Sequence, residues 1–178
     1  SMRPDLVPPS WSEELANLQD SCPVVPWVEI KKEIEREYGS ELDSLFSSIE
    51  ETPIGDGSMA QVHRAVSIDG NNIVLKILRP NIEKTVRSDL EVLEVVASLL
   101  NSHGAKLGFD PREVIDTFAE ALDNELDLRH EADSTKMLKA MTADETATFP
   151  EVYPECSTKR ILAIEEVNGA ELTKWEKQ

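Results

Sequence analysis

Apolar residues recur along this chain first at helical and then at strand spacing. Trp11, Leu15 and Leu18 fall on one face of a helix that Ser10 can cap, and Pro23 with Pro26 turn the chain into an extended linker. Trp27, Ile30 and Ile34 carry a second amphipathic helix stopped by Gly39, and Leu42, Leu45, Phe46 and Ile49 are spaced for a short third one. At Thr52 the period becomes two. From there the pattern predicts a strand, a glycine-containing turn, a strand over residues 61–66, a turn at Asp69-Gly70-Asn71-Asn72 and a strand over 73–78.

Pro80 suits the first turn of a helix through Ile82, Val86, Leu90, Leu93 and Val96, which Gly104 and Gly108 break. Asp110, Pro111 and Glu113 form a capping-box-like start for a second helix whose apolar positions Val114, Phe118, Leu122 and Leu126 continue toward Met141. Glu151-Val152-Tyr153 and the run 160–165 read as two more strands. The sum is an α+β fold: leading helices over 1–50, then over 51–178 a small five-stranded antiparallel sheet with two long helices inserted between its third and fourth strands.

Composition narrows the function classes. Eighteen Lys and Arg against 35 Asp and Glu give a net charge of −17, a field that repels nucleic acid and anionic membrane surfaces where no basic patch overrides it. The most apolar stretch, near Val95 to Leu100, falls far short of the ~20 residues of a membrane helix. Cys22 and Cys156 are far apart, with no CxxC, which signals neither zinc nor disulfides and suits a reducing compartment. His63, His103 and His130 show no metal-binding spacing, so no metal ligand is expected here. Ser1-Met2 reads as an addition ahead of a natural stretch beginning at Arg3.

The candidate chemistry lies between the first and third strands. A loop of small residues, Gly55-Asp56-Gly57-Ser58-Met59-Ala60, lets backbone N–H groups approach phosphate oxygens. A lysine on a neighbouring strand supplies point charge for the same phosphates. Read alone, the loop is more simply an ordinary hairpin, because short Gly-x-Gly signals are common by chance. Lys76 adds weight because it sits inside the apolar run Ile73-Val74-Leu75-Lys76-Ile77-Leu78, where a lysine needs a partner or a ligand. Carboxylates are on offer in Glu125-Leu126-Asp127-Leu128-Arg129-His130-Glu131. On one continuous helix, at roughly 100° per residue, Glu125 and Glu131 face different neighbours about 120° apart, so only one pairs readily with Lys76. The plain alternative is a solvated acidic face.

Together, Gly57-Ser58-Met59-Ala60-Gln61-Val62-His63-Arg64-Ala65, Leu75-Lys76-Ile77-Leu78-Arg79-Pro80, Glu125-Leu126-Asp127 with Glu131-Ala132, and the opening Arg3-Pro4-Asp5-Leu6-Val7-Pro8 resemble the UbiB family of atypical protein-kinase-like proteins. The resemblance implies a kinase amino-terminal lobe that binds ATP or ADP with Mg²⁺ and serves ubiquinone or related prenyl-quinone and lipid metabolism. It makes Lys76 the phosphate-contacting strand lysine and Glu131 its helix partner. Gly55 to Ala60 and Val62 become the nucleotide loop, and Glu165 with Val167 the adenine-holding hinge. Glu125 and Asp127 resemble a regulatory Glu-x-Asp motif that faces a Lys-x-Gly-Gln motif in relatives, expected upstream of Arg3. The catalytic-loop Asp, its Asn and the Mg²⁺-binding Asp are expected in a carboxy-terminal lobe beyond this chain, so the chain alone is expected to be inactive. Partners implied are the nucleotide and prenyl-quinone biosynthetic proteins or lipid, in bacterial cytoplasm, mitochondrion or plastid, with peripheral membrane association of the full-length protein compatible with the resemblance. Two other readings compete: a pseudokinase-like scaffold using Trp11, Leu15, Trp27 and Ile30 as apolar anchors, and an unrelated acidic interaction domain.

Overall fold

The computed structural model describes residues 23–102, 110–142, 147–167 and 169. The first predicted helix and its Trp11, Leu15 and Leu18 lie outside the described residues. In chain order the elements are α1 (Trp27–Tyr38), a 3-10 turn (Gly39–Glu41), α2 (Leu42–Leu45), β1 (Phe46–Asp56), β2 (Ala60–Ser67), β3 (Asn72–Leu78), α3 (Ile82–Ser102), α4 (Pro111–Glu125), α5 (Leu128–Met141), a second 3-10 turn (Pro154–Cys156) and β4 (Ile161–Glu165).

The four strands form one antiparallel sheet in sequence order. The α+β class stands, with four strands where five were expected: around Val152 there is only an isolated bridge to Ile164. β1 also starts at Phe46, six residues ahead of the predicted period change, so the 50/51 boundary falls inside a strand. Leu42, Leu45, Phe46 and Ile49 have helical spacing, yet only one helical turn forms before Phe46 goes extended, at φ −128° and ψ 134°. Gly70, at φ +86°, makes the β2–β3 turn, a conformation open to glycine at little cost.

Alternation along the strands gives the sheet two apolar faces. Ala65, Ile73, Leu75, Ile77, Ile161 and Ala163 point to one side, where Ile30, Ile34 and Tyr38 of α1 close a core with Phe46. Ala60, Leu78 and Leu162 point to the other, against Val86 of α3 and Leu126, Leu128 and Ala132 around the α4–α5 junction. Lys76, one residue from Leu75 and Ile77, necessarily emerges on this second face.

The leading helix is locked on by charge as well as by apolar contact. Arg160, just before β4, reaches Glu33 at 3.1 Å, Glu83 at 3.3 Å and Glu37 at 3.9 Å, with its own side chain 11% exposed and that of Glu33 10%. Among the described residues no helix is long and apolar enough to cross a membrane.

Candidate functional site

Strand register sets the first part of the site. Gly55 pairs with Val62, Val62 with Lys76 and Lys76 with Leu162, so the four form one rung across the sheet. Residues opposite each other on neighbouring strands share a face. Lys76 extends from this rung and donates to Glu131 Oε2 at 2.5 Å, joining β3 to the first turn of α5. The pair is about a third exposed on the lysine side and somewhat more on the glutamate side. It opens into a cleft of about 400 Å³ lined by Lys76, Glu125, Asp127, His130, Glu131 and Ser134, among others.

Glu125, Asp127 and Glu131 reach that cleft by a route the helical wheel did not describe. Sequence spacing suggested one helix to Met141, whereas the chain breaks between Glu125 and Leu128. Leu126 and Leu128 are both buried in the same core. Two residues apart on a helix they would point in nearly opposite directions. Asp127, extended at φ −123° and ψ 94°, resolves the conflict and becomes the N-cap of α5. Its Oδ1 accepts the Arg129 backbone N–H at 3.1 Å and Arg129 Nε at 2.9 Å, and Oδ2 accepts Nη2 at 2.6 Å. Chiefly through the Arg129 side chain, and against the effect of burial, its carboxyl is held down at about 2. Leu128 N–H donates to the Lys159 carbonyl at 2.9 Å, pinning the junction to the turn before β4. The exposed Glu125 carboxylate has no hydrogen bond or ion pair to the described residues. Glu125 and Glu131 thus have different surroundings because the helix ends between them.

The loop Gly55 to Ala60 is a hairpin tip whose two glycines both keep negative φ. Gly57 N–H donates to the Ala60 carbonyl at 2.9 Å. Arg79 grips the tip from below: its N–H donates to the Met59 carbonyl at 2.9 Å and its Nε to the Gly57 carbonyl at 2.8 Å. Glu165 ends β4 opposite Ile73, at the end of the sheet away from the loop, and Val167 beyond it is exposed. Glu166 between them is held by Arg64 Nε at 2.6 Å.

Three groups near the site carried no role in the sequence. Gln61 and His63 alternate inward on β2 and are fully buried. The Gln61 amide takes the Val25 N–H at 2.9 Å, returns a bond to the Val25 carbonyl at 3.3 Å, and lies 3.0 Å from His63 Nε2. With the amide nitrogen facing it, His63 Nε2 accepts, and Nδ1–H donates to the Glu50 carbonyl at 2.8 Å. Burial therefore lowers the His63 pKa, against that backbone bond. Arg79 is the third. A polar residue at an inward strand position was the available signal for Gln61; nothing in composition pointed to Arg79. Trp27 and Ile30, considered as partner anchors, pack instead: Ile30 is in the core and the Trp27 ring sits 5.4 Å from that of His63. Among the described residues no cluster of His, Cys, Asp and Glu could hold a metal ion.

A small antiparallel sheet whose third strand sends a lysine to a glutamate on a packed helix defines a kinase-like amino-terminal lobe. Its relatives say which kind. The profile of the ABC1 atypical kinase-like domain matches residues 17–178, and the chain belongs to that family. It is 34% identical over 172 residues to "Probable protein kinase UbiB" of Aeromonas hydrophila, covering 95% of this chain and 32% of that protein. It is 34% identical over 174 residues to "Protein ACTIVITY OF BC1 COMPLEX KINASE 3, chloroplastic" of Arabidopsis thaliana, covering 97% of this chain and 24% of that one. The chain thus spans about a third or less of these relatives. Among solved structures, Rv3197 of Mycobacterium tuberculosis, determined as a complex with erythromycin, superposes with a TM-score of 0.74 at 25% identity over 97% of this chain and 42% of its own.

Proposed function

We propose that this chain is the nucleotide-facing amino-terminal lobe of a UbiB-type atypical kinase or ATPase that supports ubiquinone or related prenyl-lipid metabolism. The observation that carries the reading is the Lys76–Glu131 pair, set on the same rung as Gly55 and Val62 and opening into a cleft. Glu131 orients the ammonium, and Lys76 offers it to phosphate oxygens. With Gly57 N–H already donated to Ala60, the Ser58 and Met59 amides at the tip are the loop groups left for a phosphate. Val62 would lie under the nucleotide, and the backbone of residues 165–167 would hold its base. Asp127, committed to Arg129 and to its helix, acts by shaping α5, whereas Glu125 has a carboxylate to spare for a cationic regulatory segment.

A bound Mg²⁺ would neutralise phosphate charge, and its ligands would come from outside this chain, as would the groups that position a phosphoryl acceptor. On that reading the lobe alone would not transfer a phosphoryl group. The net charge of −17 works against an anionic ligand, which raises the demand on Lys76. Titrating the full-length protein with MgATP and MgADP by calorimetry tests the reading: binding is expected, with a loss of tenfold or more, about what a hydrogen bond to a charged group is worth, in Lys76→Ala. Unchanged binding in that variant refutes the assignment.

A further inference from the structure

Arg79 does more than end β3. Its Nε holds the Gly57 carbonyl at 2.8 Å, while its Nη1 holds the carbonyl of Pro23, in the leading segment, at 2.8 Å. One planar guanidinium thus spans the candidate phosphate loop and the extended chain that precedes α1. The same stretch is gripped a second time, two residues on, where both backbone groups of Val25 are taken by the buried Gln61 amide on β2. Arg79 is itself fixed from the far side, since its carbonyl accepts Arg160 Nη2 at 3.3 Å. Loop and leading segment are consequently joined through one side chain, and the Arg160 charge cluster holds the backbone of the same residue.

We propose that Arg79 is a positioning residue that sets the phosphate loop according to where the leading segment lies, so that displacing residues 23–26 lowers affinity for nucleotide phosphates. The inference rests on the nucleotide-binding reading above for its ligand, but the strut itself is independent of it. Lysine cannot replace the side chain, because a single ammonium on a flexible stem lacks the rigid fork that reaches two carbonyls at once. The loop tip needs such a strut: Gly55 to Ser58 are exposed, and beside the Gly57–Ala60 bond and the Arg79 backbone N–H on the Met59 carbonyl, the side-chain hold on the tip is the Arg79 guanidinium on the Gly57 carbonyl.

The test uses the full-length protein with Arg79→Lys, Arg79→Gln and Val25→Pro, the last removing the N–H that Gln61 receives. Hydrogen exchange at the amides of Gly57 and Arg79, which donate to the Ala60 and Met59 carbonyls of the tip, is read without ligand. It is expected to rise about tenfold or more in each variant, and Val25→Pro is expected to add nothing in the Arg79→Gln background, the non-additivity that marks a shared path. Affinity is then measured for MgADP and for adenosine. MgADP is expected to weaken about tenfold, the low end of what a hydrogen bond to a charged group is worth, while adenosine, which lacks phosphates, binds unchanged. Equal losses for both ligands would mark a general structural defect and overturn the positioning role. Unchanged loop exchange in the Arg79 variants would overturn the strut, and strictly additive effects would overturn its coupling to the leading segment. If the wild type binds neither ligand, the nucleotide reading fails while loop exchange still decides the strut.

Discussion

Lys76 and Glu131 are 55 residues apart in sequence and 2.5 Å apart in space, the lysine on a central strand and the glutamate one turn into a helix packed on that strand's face. Both side chains keep substantial solvent access, so solvent screens their attraction and the pair adds little to folding. Lys76→Met should therefore change the unfolding free energy by less than about 1 kcal/mol. Nucleotide affinity should nevertheless fall by tenfold or more, since a charge-assisted contact to phosphate is lost. Urea denaturation and calorimetry on the same samples separate the two effects, and a large loss of stability would recast the pair as structural.

Asp127 should act through its cap. Asparagine caps helices about as well as aspartate but forfeits the charge that holds Arg129, so Asp127→Asn is expected to cost less than Asp127→Ala, which loses the cap as well, at about 1 kcal/mol more, and loosens Glu131. The pH dependence has a definite sign. The folded carboxyl sits at about 2, below its ordinary 3.8, so its contribution is complete above pH 4 and disappears as pH falls from 4 to 2. Urea midpoints across that window should slope less in Asp127→Asn than in wild type.

How much of this was legible in the sequence depends on which interactions decided each element. β2, β3, α1 and the Asp110 cap follow from local periodicity and turn chemistry, and Asp110 Oδ1 does accept the Arg112 N–H. That Lys76 needs a partner was legible because a lysine within an apolar strand demands one, whereas the choice of Glu131 over Glu125 came from the family resemblance. Tertiary packing decided the rest. Phe46 could continue a helix or start a strand, and it starts a strand because β1 pairs with β2 as far back as Phe46 and Ser67. Leu126 and Leu128 break a helix that neither would break alone. The Arg79 strut binds backbone carbonyls, which every residue carries, so no side-chain pattern marks its targets.

His63 should make stability fall in mild acid. Burial lowers its pKa below the ordinary 6.5, so between the folded and unfolded values the unfolded chain binds more protons, and stability is lost as pH drops below about 6.5. Protonation would also place a second donor against the Gln61 amide nitrogen, 3.0 Å away. His63→Phe should be less stable than wild type at pH 8, because one N–H of the Gln61 amide and the Glu50 carbonyl lose their His63 partner, at ~1–3 kcal/mol for each group left unpaired. Its stability should vary less between pH 7 and pH 5, as followed by thermal melts. A wild type with no pH dependence over that range would show that His63 does not titrate with unfolding.

The cluster around Arg160 offers the sharpest energetic contrast with Lys76. Arg160 is 11% exposed and Glu33 10%, so the pair is largely withdrawn from water, and its worth is dominated by what happens when one member is left behind. Arg160→Met should destabilise the protein by about 3 kcal/mol, because Glu33 then keeps only Arg36, and Glu37 keeps only the Thr158 hydroxyl, among the described residues. Adding Glu33→Leu should restore part of that loss, since two apolar side chains of similar bulk no longer strand a buried charge. Urea unfolding of the two single variants and the double variant measures the coupling. A double variant as unstable as the sum of the singles would mean that Arg160 acts through Glu37, Glu83 or the Arg79 carbonyl and not through Glu33.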